Sequence, residues 1–183
     1  MQPNRLYLFI SQINKMIIQT TDLETLFKEA CRIVVEVGQF RMAWIGILNE
    51  ATQKIYPVAH FGDDKDFPLI IPNLSISDDP QERGPAGTAI KQGKYLVCND
   101  LENDPLLKPW RTEAIKRGYR SAISLPIIKF QKVIGVFSIY TSQINFFDEV
   151  EISLLNEVAP DLSPLKLVRF QSIEYQRFSV LFL

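Results

Sequence analysis

The chain has 183 residues, room for one domain with terminal extensions, and a content of 46% hydrophobic and 22% charged residues suits a globule with a sizeable core. Twenty basic against twenty-one acidic side chains leave a net charge of −1, which argues against generic binding to nucleic acid or to an anionic membrane surface. Two cysteines and one histidine furnish neither a four-ligand zinc site nor a disulfide framework, and no apolar run approaches the roughly 20 residues of a membrane span, so a cytoplasmic, reducing setting without direct membrane insertion is expected.

Leu6, Ile10, Ile13 and Ile17 recur at spacings of four, three and four, which predicts a helix over about 4–19 with one apolar stripe. Thr21 and Glu24 read as a capping box that opens a second helix. Its buried stripe is Leu23, Leu26, Phe27, Ala30, Cys31 and Val34, and Gly38 supplies its stop. FRMAWIGIL (40–48) and KIYPVAHF (54–61) are rich in aromatic and β-branched residues and predict a hairpin. Both alternating sets of the first strand are apolar, so it is expected to be covered on both faces. Residues 62–83, with many acids and a PLIIP patch, read as a long, poorly ordered loop.

A short helix over 84–93 is bracketed by glycines, and the strand KYLVCN follows. Asp104 before Pro105 reads as an N-cap, Pro109 splits the helical region, and WRTEAIKRG ends at Gly118. RSAISLPII (120–128) and KVIGVFSIY (132–140) predict a second hairpin. FFDEVEISLLNEVAPDL opens a helix with acids in its first turn, interrupted at Pro160. Ser163-Pro164 starts a further helical stretch that ends on SVLFL.

Three stretches, FRMAWIGIL, GPAGTAIKQGKYLVCNDLENDP with PWRTEAIKRGYRSAISLPI, and VIGVFSIYTSQINFFDEVEISLLNEVAPDL, resemble the GAF domain of bacterial signalling proteins, of the subtype found beside PAS, histidine-kinase or diguanylate-cyclase domains. The resemblance covers about residues 6–162. It implies an α+β fold with a central antiparallel sheet of five to six strands, terminal helices on one face and a small-molecule pocket on the other. The implied organisation is a dimerisation helix (1–21), a sensory domain (22–162) and a tail or linker (163–183).

Residues 103–121, NDPLLKPWRTEAIKRGYRS, would form the pocket's lid and wall in that layout. Trp110 and Arg111 suit either stacking and pairing with a ligand or simple lid packing. Strand alternation sends Arg120, Ala122 and Ser124 to the face opposite Ser121, Ile123, Leu125 and Ile127. The candidate ligand-binding set is Trp44, Thr88, Asp100, Trp110, Arg111, Tyr119, Arg120 and Ser124. Asp100 and Asp104 could instead be a catalytic pair, but Asp104 as a cap and Asp100 as holder of an arginine or of loop amides is the simpler account.

Cys98 raises the possibility of thiol chemistry, because one GAF-like family reduces free methionine sulfoxide with pocket cysteines. That family resembles G-V-C-G where this chain has Gly84-Pro85-Ala86-Gly87, and no resolving cysteine lies in 105–121. His60 as a haem ligand and Phe147-Asp148-Glu149 as a nucleotide motif have simpler readings, a half-buried polar tip and a helix N-terminus. The expectation is a non-catalytic regulatory module, homodimeric through its terminal helices, binding a small ligand of unknown identity and acting on an output domain outside this chain. A thiol-based redox enzyme and a ligand-free dimerisation spacer remain the alternatives.

Overall fold

The computed structural model describes residues 3–62 and 74–162. In chain order these form α1 (Pro3–Gln19), α2 (Leu23–Glu36), β1 (Met42–Asn49), β2 (Lys54–Gly62), α3 (Pro80–Gln92), β3 (Leu96–Cys98), a 3₁₀ turn (Pro105–Leu107), α4 (Arg111–Lys116), β4 (Ser121–Lys129), β5 (Lys132–Thr141) and α5 (Glu149–Asp161). The strands pair antiparallel in one five-stranded sheet of order β2-β1-β5-β4-β3. This is the α+β architecture that the sequence predicts.

Period-two alternation divides the core between the two faces of the sheet. Ala43, Ile45, Ile123, Leu125, Phe137 and Ile139 pack with Phe9 and Ile13 of α1, Leu26 and Phe27 of α2, and Leu155 and Val158 of α5. On the opposite face Met42, Trp44, Ala122 and Val136 meet Ala86, Ala89 and Ile90 of α3, with Leu107 and Ala114 beyond them. Strand β1 is therefore covered on both sides, as its doubly apolar pattern requires. The prolines obey the same geometry. Pro57 lies in the edge strand β2, and Pro126 lies beyond the three residues of β4 that pair with β3, so neither removes a central ladder bond on both sides.

Several local expectations are corrected. The N-cap of α2 is Asp22, whose carboxylate accepts from the Thr25 N–H at 2.7 Å, in place of a Thr21–Glu24 box. Asp22 has the extended backbone that a cap needs and lies one residue nearer the first turn. The inward stripe of α1 is Phe9, Ile13, Met16 and Ile17, all buried in this chain's own core, with Ile10 packed against it; the side chain of Leu6 lies outside the described residues. Pro160 lies in the last turn of α5, which continues to Asp161, because a proline so near the end costs few intrahelical bonds.

Of the expected loop 62–83, residues 63–73 lie outside the described residues, whereas 74–83 are held in place. Ile55 N–H donates to Leu74 O at 2.9 Å, Ile76 N–H donates to Gln53 O at 3.0 Å, and α3 already begins at Pro80. The predicted tail 163–183 lies outside the described residues.

Candidate functional site

On the α3 side of the sheet, Met42 and Trp44 from β1 and Tyr140 from β5 form the floor of a cavity of about 40 Å³. Leu74, Pro85, Ala86, Leu107, Trp110, Ala114 and Tyr119 line it from the connections above. Two backbone features build this roof. The first is a break within α3 at Gly84, with φ 60° and ψ −172°. An added Cβ there would lie 2.5 Å from the Trp110 ring, so the indole occupies space that only glycine leaves. Thr88 braces the break, its buried hydroxyl donating to Gly84 O at 2.7 Å while accepting from Arg83 Nε at 3.1 Å.

The second feature is the end of α4. Gly118 at φ 79° donates to Ile115 O at 2.9 Å, and Tyr119 N–H reaches back to Ala114 O at 3.0 Å, the paired bonds of a Schellman motif. That motif folds the chain back and sets Tyr119 and Ala114 side by side on the cavity wall. Tyr119 meets Tyr140 with ring centroids 5.2 Å apart at 43°. Burial pushes the Tyr140 phenol up to about 12, against the indole N–H of Trp44, which favours the phenolate. The Tyr140 ring therefore stays neutral throughout the physiological pH range.

Of the eight residues singled out in the sequence, the structure brings Trp44, Trp110 and Tyr119 together on this wall. The other five are outside the lining. Asp100 accepts from Asn103 Nδ2 at 2.7 Å and from Glu102 N–H at 3.2 Å, which is the loop-amide role weighed against catalysis. Arg111 donates to Asp104 O at 2.9 Å. Arg120 donates to Tyr119 O at 3.1 Å and Ile115 O at 3.3 Å, tying the end of α4 to β4. Ser124 lies on the predicted face but shares its hydroxyl with Ser138 at 2.9 Å. Thr88 braces the Gly84 break.

The sequence reading missed Met42, Leu74, Pro85, Ala86, Leu107, Ala114 and Tyr140. For Met42 a signal existed, since it shares a strand face with Trp44. Tyr140 pairs with Met42 across β1 and β5, a register that periodicity alone does not fix.

The cysteines are poor nucleophiles. Burial drives the Cys98 thiol far above its ordinary range, and its hydrogen bond to the Asp104 carboxylate pushes the same way. Asp104 also accepts from Leu106 N–H at 2.9 Å as the cap of the 3₁₀ turn. Cys31 is buried on the inward face of α2 and is likewise raised. His60 is exposed on β2, and Asp148 caps α5 by accepting from Glu151 N–H at 2.8 Å. Among the described residues no group of three or more His, Cys, Asp or Glu side chains could hold a metal, and no helix is long and apolar enough to cross a membrane.

An antiparallel sheet with its terminal helices on one face and a cavity under a helical crossover on the other defines a class of small α+β domains. The family model for the GAF domain matches residues 20–164, and the chain belongs to that family. GAF domain-containing protein A of Dictyostelium discoideum is 27% identical over 120 residues, which are 66% of this chain and 67% of that protein. The GAF domain of an Acinetobacter phosphoenolpyruvate-protein phosphotransferase is similar with a TM-score of 0.71 at 17% identity, covering 96% of this chain and 99% of that one. Free methionine-R-sulfoxide reductase of Neisseria meningitidis, solved with its substrate, is similar with a TM-score of 0.70 at 17% identity over 92% and 93% of the two chains. Structural likeness at such identities carries the fold alone, and this fold serves both regulators and an enzyme.

Proposed function

We propose that this chain is a non-catalytic regulatory GAF domain that binds a small molecule in the aromatic cavity and passes occupancy, through its terminal helices, to an output domain outside this chain. The observation that carries the reading is the cavity itself, lined by Trp44, Trp110, Tyr119 and Tyr140, with no charged side chain among the described residues that line it. Thiol chemistry is disfavoured because Cys98 and Cys31 are buried with thiols held protonated. A ligand would bias two arrangements of the connections above the sheet by its differential affinity for them. The setting that fits is a cytoplasmic, homodimeric bacterial signalling protein with an output module of the histidine-kinase or diguanylate-cyclase kind. Mass spectrometry of small molecules released from the purified protein tests the ligand, and output activity of the full-length chain with and without that molecule tests the regulation. Turnover of free methionine sulfoxide that is lost in Cys98→Ser would overturn the reading.

A further inference from the structure

We propose that the cavity is a cage for a quaternary ammonium group, the trimethylammonium head of a small molecule. This inference rests on the ligand-binding reading above and narrows it to a chemical class. Four rings, those of Trp44, Trp110, Tyr119 and Tyr140, converge on one cavity together with the polarisable thioether of Met42. Ring quadrupoles attract a cation, most strongly for tryptophan, and the attraction grows where water is excluded.

Other ligand charges fit the wall less well. An anion would need cationic or amide donors, but the guanidinium groups of Arg111 and Arg120 are turned to backbone carbonyls and are absent from the lining. A primary ammonium carries three N–H donors, for which the described lining offers no carboxylate or side-chain amide and only the phenol oxygens of Tyr119 and Tyr140, so its desolvation is poorly compensated. A quaternary ammonium has no N–H to satisfy, and its charge is spread over methyl groups that an aromatic wall can touch. The size agrees as well. A cavity of about 40 Å³ holds roughly three waters, about 90 Å³ of liquid, which is near the bulk of a trimethylammonium head.

The test is a tryptophan-fluorescence titration of the intact chain with choline and, separately, with 3,3-dimethylbutan-1-ol, its neutral carbon isostere, at matched ionic strength. Choline is expected to quench the emission and to bind at least about tenfold tighter than the alcohol. Trp110→Leu, whose fold is checked by circular dichroism, is expected to weaken choline by about tenfold and the alcohol by much less; Trp110→Phe falls between, because a smaller ring remains. Equal affinity for both probes would overturn the cation cage while leaving a ligand-binding cavity intact. Absence of binding by either probe at millimolar concentration would also overturn it, and the mass-spectrometric search then decides the broader reading independently.

Discussion

Gly84 is the residue on which the cavity roof turns. Its φ of 60° and ψ of −172° lie where L side chains rarely go, and a Cβ would meet the Trp110 ring at 2.5 Å. Gly84→Ala is therefore expected to cost about 1–3 kcal/mol in urea unfolding and to shift Trp110 emission to the red as the indole is pushed outward. Cys98 offers the opposite case. Its S–H donates to a carboxylate that also caps the 3₁₀ turn, and a serine hydroxyl can make the same bond. Cys98→Ser is expected to stay within about 1 kcal/mol of wild type, and neither native thiol should react with an aromatic disulfide at neutral pH until the chain unfolds. Rapid modification of Cys98 in the folded protein would contradict this account and reopen thiol catalysis.

At the scale of elements, α1 is fastened to α5 by one buried ion pair. Arg5 Nη2 donates to Glu151 Oε1 at 2.6 Å, and Arg5 Nη1 donates to Gly38 O, while the guanidinium lies 5.1 Å and 5.4 Å from the ring centroids of Phe40 and Phe146. Burial raises the Glu151 carboxyl above its ordinary value, and Arg5 holds it back. A carboxyl raised in the folded state binds its proton more readily there than in the unfolded chain. Its contribution is therefore present below the ordinary glutamate range and lost as pH rises through the folded value. Arg5→Met removes the opposing charge and moves the folded value higher. The expected cost is about 3–5 kcal/mol near neutral pH and less at pH 5, read by denaturant unfolding at both; a deficit that does not shrink on acidification would refute the pairing. These elements were unevenly legible in the sequence. The stripe of α2 and the two hairpins follow from local periodicity, and so were readable. Thr21 and Asp22 are both good caps in adjacent positions, and only backbone geometry chooses between them. In the site, Trp44, Trp110 and Tyr119 stood out as aromatics beside apolar runs. Thr88, Asp100, Arg111, Arg120 and Ser124 stood out equally, because a polar side chain that satisfies backbone or a neighbouring hydroxyl looks the same in one dimension as one that faces a ligand. Pro85, Ala86 and Leu107 reach the cavity only through the closure of distant segments, which no local pattern records.

At the scale of the whole molecule, the proposed homodimer has to be compatible with the place of α1 in its own domain. Phe9, Ile13, Met16 and Ile17 are spent on this chain's core, so Ile13 and Ile17 of the stripe read from the sequence are not free to form a seam. The outward side still carries apolar surface, with Leu8 52% and Ile18 85% exposed. Leu8, Ser11, Lys15 and Ile18 follow spacings of three, four and three, so they lie along one exposed line of the helix with an apolar residue at each end. A homodimer built there would bring the two first helices side by side without disturbing either core, and two-fold pairing is the commonest closed arrangement. The substitutions then separate cleanly. Leu8→Glu combined with Ile18→Glu should convert a dimer to monomer while leaving thermal unfolding of the isolated domain nearly unchanged, since surface replacements usually fall within about 0.5 kcal/mol. Ile13→Asp should instead unfold each copy, because it places an unpaired charge at a fully buried position. Sedimentation velocity at micromolar concentration, paired with circular dichroism, reads both effects. A wild-type chain that sediments as a monomer, or a dimer indifferent to the Leu8 and Ile18 changes, would remove this face as the interface.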